Sequence, residues 1–309
     1  MVETPVLFVT FARPEYARRT FNTIKAAMPG KLYFYSDKAR DFNQAETEKN
    51  NQIRAFIKEV DWNCELKVFF RDKHSGSVDS SLWGAYDWFF NNEEQGIILE
   101  EDCVPSLAFF DFCDQLLPKY KQDQRVWVIS GNNFIEGYNP NGYDYFYSNF
   151  PYMYGWASWR DRWQKVIRGP LPFEKIKEYK LFDQIYSNRK AARKALLFTQ
   201  KIIDTTCWDY RFTISMKCNG GFGIIPVVNL VSNIGLSGAH NVGKKSFFHG
   251  RSLPDFEKYQ ILNPPPFVVA DYGYSTSWYK NYYFKHSSLL FKGKKKLANV
   301  FLKLIHSKR

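Results

Sequence analysis

GIILEEDCVPSLAFFDFC (Gly96–Cys113) is the stretch on which the reading turns. Gly96-Ile97-Ile98-Leu99 is a short unbroken apolar run with no polar alternation, which marks a strand buried on both faces. Three acids follow at once, Glu100, Glu101 and Asp102. Three acids in a row also describe a solvated turn. A carboxylate placed directly after a buried strand, however, is held stiffly at the edge of a sheet. Its hard oxygens suit Mg²⁺ or Mn²⁺.

Working outward, PVLFVTF (Pro5–Phe11) is a second continuous apolar run of strand length. Arg13 to Ala27 follows with helical spacing, and Pro14 sits where a first turn tolerates it. KLYFY (Lys31–Tyr35) predicts a strand ending in Ser36-Asp37. Asn43–Val60 reads as helix, Leu66–Phe70 as strand, and Ser77–Asn91 as an aromatic-rich helix. Strands alternating with helices predict an α/β fold with a central, mostly parallel sheet flanked by crossover helices. Ligands of such sheets bind beyond the carboxyl ends of the strands. Thr10 to Arg13, Ser36-Asp37 and Glu100 to Asp102 all fall at that edge.

From Arg125 the pattern changes. Val126–Ser130 predicts a strand and Gly131–Asn149 a loop. YMYGWASWRDRW (Tyr152–Trp163) is dense in aromatics and is expected to wall a cleft. A basic helical stretch is expected over about 173–198, a late strand over Ile224–Leu230, and a loop, SNIGLSGAHN, over Ser232–Asn241.

Composition bounds the function. Eighteen per cent of the 309 residues are aromatic, including 20 Tyr and 9 Trp, more than a core needs. Flat rings suit the apolar faces of sugars. A net charge of +12 implies an anionic partner. A nucleic-acid binder would spread basic residues and exposed aromatics over a groove, whereas many of the cations here lie in the tail. There, Leu289, Leu290, Phe291, Leu297, Val300, Phe301, Leu304 and Ile305 recur near helical spacing among lysines. That pattern describes a basic amphipathic helix for an anionic membrane surface, or a solvated helix docking its apolar side on the domain. Five cysteines without a CxxC pair argue against a disulfide framework and a thiolate zinc site. With no apolar run of about 18 residues, the expectation is a cytoplasmic protein, peripheral on the inner face of the cell membrane where the tail attaches it.

GIILEEDCVPSLAFFDFC resembles the acidic metal-binding motif of GT-A glycosyltransferases, in the Glu-Asp-Asp form of N-acetylglucosaminyltransferase I, and is similar to bacterial nucleotide-diphospho-sugar transferases. Six further segments resemble the family in the same order. They are PVLFVTFARPEYARR, KLYFYS with Asp37, Lys73-His74 before the aromatic helix, NFPYMYGWASWRDRW, TTCWDYRF and SNIGLSGAHN. The middle acid, Glu101, departs from the more usual Asp.

The resemblance implies a GT-A, Rossmann-like domain over 1–250, with a nucleotide-sugar half (about 1–125) and an acceptor half (about 126–250). A C-terminal extension would occupy 251–309. It implies a metal-dependent inverting transfer from a uridine diphosphate sugar; the charge and hydrophobicity of the tail point to a glycan or lipid-linked acceptor in surface polysaccharide synthesis. Asp102 would be the direct Mn²⁺ or Mg²⁺ ligand. Thr10, Phe11, Arg13, Asp37, Lys73, His74, Glu100, Glu101, Trp208 and His240 would face the donor, with Gly155 and Trp156 on the acceptor side. Asp209 would take the acceptor's proton, with Asp204 its competitor and a helix-capping role the plain alternative. Gly235 and Gly238 would let the late loop close over the donor. Two rival readings remain. A nucleotidyltransferase usually carries a glycine-rich first turn, absent from PVLFVTFARPEY, and a carbohydrate-binding protein would not account for the acids.

Overall fold

The computed structural model describes residues 2–186, 188–238, 241–242 and 248–278. The first half alternates strictly: β1 (Val6–Thr10), α1 (Pro14–Ala27), β2 (Lys31–Ser36), α2 (Gln44–Arg54), β3 (Glu65–Phe70), α3 (Val78–Asn92) and β4 (Gln95–Glu100). Then come β5 (Cys103–Pro105), α4 (Leu107–Tyr120), β6 (Val126–Ser130), β7 (Tyr145–Ser148), β8 (Trp156–Trp159) and α5 (Arg160–Gln164). Helices α6 (Phe173–Glu178), α7 (Leu181–Ile185), α8 (Arg189–Lys201) and α9 (Trp208–Cys218) precede β9 (Phe222–Pro226) and β10 (Val231–Asn233). The short pair β11 (Ser237–Gly238) and β12 (Asn241–Val242) and helix α10 (Tyr272–Trp278) complete the described elements.

Eight strands form one sheet in the order β3-β2-β1-β4-β8-β6-β9-β7. The first four run parallel. β8 is antiparallel to both β4 and β6, and β7 to β9, while β6 and β9 are parallel. The result is a mixed α/β architecture with a mostly parallel central sheet flanked by helices.

Strand alternation divides the core between two faces. Val6, Phe8, Phe34, Ile97 and Leu99 pack against α1 and α4, with Phe21, Phe109 and Phe112. Leu7, Val9, Tyr33, Tyr35 and Ile98 pack the other way, against α3 and α9, with Tyr86, Trp163, Trp208 and Phe212. Local chemistry sets the helix ends. Pro14 opens α1, where its missing N–H costs nothing. The side chains of Asn43 and Ser77 cap α2 and α3, accepting from Glu46 N at 3.0 Å and Ser80 N at 3.1 Å.

Several expectations are corrected. The aromatic segment Tyr152–Trp163, expected to wall a cleft, supplies from Trp156 onward β8, in the middle of the sheet, and α5. Trp156, Trp159 and Trp163 are all buried; a strand paired on both sides and covered on both faces favours apolar residues, and its one hydroxyl, on Ser158, donates to Trp127 O at 2.7 Å. The loop expected over Gly131–Asn149 contains β7. The helix expected over Asn43–Val60 ends at Arg54 and tightens into a 3₁₀ turn over Ala55–Glu59. The single basic helix expected near 173–198 is three, broken at Lys180, whose φ of 51° is left-handed. The late strand begins at Phe222 and ends at Pro226, which cannot donate to a further ladder bond.

Residues 251–278 pack on α4 and on the second half: Tyr259 N donates to Asp111 Oδ2 at 3.3 Å and Ile261 N to Gln115 Oε1 at 3.1 Å. Tyr259 Oη donates to Asp144 O at 2.7 Å, and Tyr274 is buried beside Phe146 and Tyr138. His240 and the expected amphipathic helix of the tail lie outside the described residues. Among the described residues no helix is long and apolar enough to cross a membrane.

Candidate active site

Strand β1 lies between β2 and β4, so the chain leaves β1 toward one edge of the sheet and returns to its other side at β4. This reversal opens a crevice beyond the carboxyl ends of β1 and β4. Thr10 and Glu100 end those strands, and the acidic triplet and Arg13 sit in the turns that follow.

The three acids have separate surroundings. Glu101 points inward and is nearly inaccessible. It accepts from Phe11 N at 2.7 Å and Arg13 Nε at 2.5 Å, and its main-chain oxygen accepts from Thr20 Oγ1 at 2.9 Å. Its work is to hold the β1–α1 turn against β4. Arg13 also reaches Asp102, with Nη1 at 2.9 Å from Oδ2. Burial opposes the charge on Arg13, but Glu101 and Asp102 together outweigh it and hold the guanidinium protonated. Arg13 is thus a bridge between two acids.

Glu100 faces the other way, accepting from Tyr86 Oη at 2.9 Å. Burial, with Asp102 nearby, pushes its carboxyl up to about 8. Asp209, on α9, adds to that shift. Tyr86 links the two: its ring packs edge-on against Trp208 at 4.8 Å. Trp208 in turn stacks on Trp156 at 5.2 Å. Trp156 is therefore a backing wall, fully buried, and not an exposed acceptor surface. Gly155, beside it, has φ +80°, and a Cβ there would meet Val231 at 2.7 Å.

Asp209 lies in the first turn of α9 and is part-exposed. Its Oδ1 accepts from Cys207 Sγ at 2.9 Å and Tyr210 N at 2.7 Å. Burial raises its pKa, and those two donors pull against the rise. Its competitor Asp204 is exposed. Asp161 is paired with Arg162 and bonded by Gln124, a local brace.

At the end of β2, Asp37 is almost wholly buried. Oδ1 accepts from Lys38 N at 2.9 Å and Ser75 N at 3.2 Å, Oδ2 accepts from the Ser75 hydroxyl, and Arg71 lies 3.4 Å away. His74 bonds Lys38 O at 2.9 Å through Nδ1 and stacks on Phe11 with centroids 5.6 Å apart. Phe11 and His74 thus form a flat aromatic edge beside Asp37. Lys73 is exposed on the same turn. The Thr10 hydroxyl is spent on Tyr35 O, at 2.9 Å.

Sequence reasoning missed the residues that hold this edge. Asn50 on α2 donates to Phe11 O, Ser36 Oγ and Asp37 O, while Arg54 reaches Ser36, Asp37 and Arg71. Polar residues on a largely polar helix give no signal of this. Tyr86 and Cys207 were hidden likewise, in an aromatic run and beside an acid.

The donor set fits a divalent cation shared with a ligand. Glu100 and Asp102 offer hard oxygens at the end of β4, with Arg13 bridging Asp102 to Glu101, and the raised proton affinity of Glu100 reflects its burial and the Asp102 charge. No cluster of three or more metal-binding side chains stands ready among the described residues, so remaining ligands would come from the bound molecule.

No protein-family model matches the chain, and no curated protein does. Among solved structures it is similar to a mannosyltransferase, PcManGT from Pyrobaculum calidifontis, in complex with GDP-Man and Mn²⁺. The TM-score is 0.35 and the identity 11%, over 53% of this chain and 47% of that one. It is also similar to a UDP-glucose pyrophosphorylase complexed with UDP-glucose, with a TM-score of 0.28 and 9% identity over 54% of this chain and 81% of that one. The chain spans about half the length of the mannosyltransferase. Likeness this partial carries no argument about the reaction.

Proposed function

We propose that the protein is a glycosyltransferase moving a sugar from a nucleoside diphosphate, a uridine diphosphate by resemblance, to a hydroxyl of a glycan or lipid-linked acceptor. The observation that carries this reading is the acidic triplet beyond the end of β4, where the strand order reverses, with Asp209 following Trp208, whose ring packs on the Tyr86 that donates to Glu100. The aromatic edge of Phe11 and His74, with Asp37 beneath it, suits a nucleobase. Asp102 would hold Mn²⁺ or Mg²⁺, with Glu100 supporting. A divalent cation there offsets the negative charge that develops on a departing diphosphate. Asp209 takes the proton of the attacking hydroxyl. Its raised pKa makes it a stronger base than a solvated carboxylate, and inversion rests on the match of Asp209 to the family's base.

A panel of nucleotide sugars, screened by thermal shift with and without Mn²⁺, tests the donor site. A donor that raises Tm only with metal names the substrate class, because ligand binding stabilises the fold by mass action. Asp209→Asn should keep that shift and lose transfer by roughly 10²–10⁴-fold. Transfer at the wild-type rate would remove Asp209 as the base, and the absence of any donor-induced shift would remove the donor site.

A further inference from the structure

Helix α8 carries Arg189, Lys190, Arg193, Lys194 and Lys201 and no acid along its 13 residues. Its inner face is small and polar-neutral: Ala191, Ala192 and Thr199 are buried, Ala191 and Ala192 beside Phe182 and Tyr186. Its outer face presents Lys190, Arg193, Leu197 and Lys201, a spacing that aligns them in one stripe along a helix. Leu197 is 49% exposed and its neighbour Phe198 is 40% exposed. Leu197 therefore leaves half its side chain in water, and Phe198 exposes the part of its ring that does not meet Tyr210. Tyr179 and Lys180, which follow α6, are exposed as well, Tyr179 at 69%. The acids nearby, Glu174, Glu178 and Asp183, belong to α6 and α7, and Glu174 pairs with Lys177 at 3.7 Å.

Apolar side chains ringed by cations on one helical face match an anionic bilayer, which offers phosphates at its surface and acyl chains just below. A nucleic acid would use the cations and leave Leu197 in water. We propose that α8 docks the protein on an anionic phospholipid surface, with Leu197 and Phe198 entering the headgroup boundary and Lys190, Arg193 and Lys201 meeting phosphates. Phe198 packs edge-on against Tyr210 with centroids 5.3 Å apart, and Tyr210 directly follows Asp209. Docking through α8 therefore brings the crevice to the membrane, where an acceptor anchored in lipid would be within reach. The surface itself does not depend on the transferase reading.

Co-sedimentation of the full-length chain with mixed phosphatidylglycerol–phosphatidylcholine vesicles, without donor or acceptor, tests this directly. The wild type should bind the mixed vesicles and leave pure phosphatidylcholine alone. Lys190→Glu with Arg193→Glu should weaken partition at least about 25-fold, from roughly fivefold per lost cation. Leu197→Ser should weaken it by roughly tenfold. Both variants change solvent-facing side chains and should melt with the wild type. Wild-type partition in the double variant would place the contact elsewhere and overturn the proposal, as would equal wild-type binding to both vesicle types. An unaffected Leu197→Ser variant whose binding short duplex DNA displaces would mark a simple polyanion site and overturn it as well.

Discussion

At the scale of single residues, Asp209 is set by two opposing influences. Burial raises its pKa, and the thiol of Cys207 and the amide of Tyr210 lower it again by donating to Oδ1. A base must be deprotonated, so activity falls as pH drops through its pKa. Removing the thiol raises that pKa further. Cys207→Ala should therefore move the acid limb of the kcat profile upward by about one pH unit, the worth of one hydrogen bond to a charged group. Cys207→Ser, which restores a donor, should return the limb toward its wild-type position. Identical profiles for all three proteins would mean that the thiol does not act on Asp209. None of this was legible beforehand: Asp209 stands out as an acid beside a Trp, while Cys207 counted only toward the case against disulfides.

At the scale of elements, the β10 loop is built around the acidic triplet. β10 pairs antiparallel with β5, Asn233 opposite Cys103, and Ile234 N donates to Asp102 O at 2.8 Å. Gly235 then passes so close that a Cβ would lie 2.0 Å from Asp102 Oδ2. The glycine expected to give a loop its freedom is needed here for room. Gly235→Ala must push Asp102 aside or part β5 from β10. We expect a stability loss of about 1–3 kcal/mol and loss of the Mn²⁺-dependent donor shift, read by denaturant unfolding and by thermal shift. An unchanged donor shift would show that the Asp102 carboxylate is not part of the site. The elements read best were the uniform apolar runs, β1, β2, β4 and β6. β8 was misread because aromatic residues mark a cleft wall and a buried strand equally well, and only its pairing to β4 and β6 decides between them.

At the scale of the whole molecule, the site is assembled at a cost in stability. The Glu100 carboxyl moves from an ordinary value in the unfolded chain up to about 8 in the folded one. For a carboxyl raised by folding, the native state binds the proton more tightly, so stability declines as pH rises between the two values. Glu100→Gln is neutral throughout and escapes that decline. The variant should melt above the wild type at pH 8, by on the order of a few degrees, with a smaller gap at pH 5. It should also lose donor binding in the presence of Mn²⁺. A constant Tm difference across that range would show that Glu100 does not titrate as its surroundings imply. The +12 charge also reads differently at this scale: the tail is not its only concentrated carrier, since α8 displays a basic face beside the proposed base.

The sequence by itself determined the alternating strands and helices of the first half, and with them the edge at which Thr10, Asp37 and Glu100 emerge. Apolar runs and strand periodicity are local properties, and a strand's direction follows from the helix that must cross back. Only the tertiary structure decided what each acid meets. Glu100 and Asp209 lie on a strand and a helix far apart in the chain, and Tyr86 connects those elements, donating to Glu100 and packing on Trp208 of α9. The tertiary structure also turned Glu101 inward to Arg13 while Glu100 faces Tyr86. That choice depends on the β1–α1 turn and the β10 loop reaching the triplet from opposite sides, a long-range closeness that no spacing within GIILEEDC records.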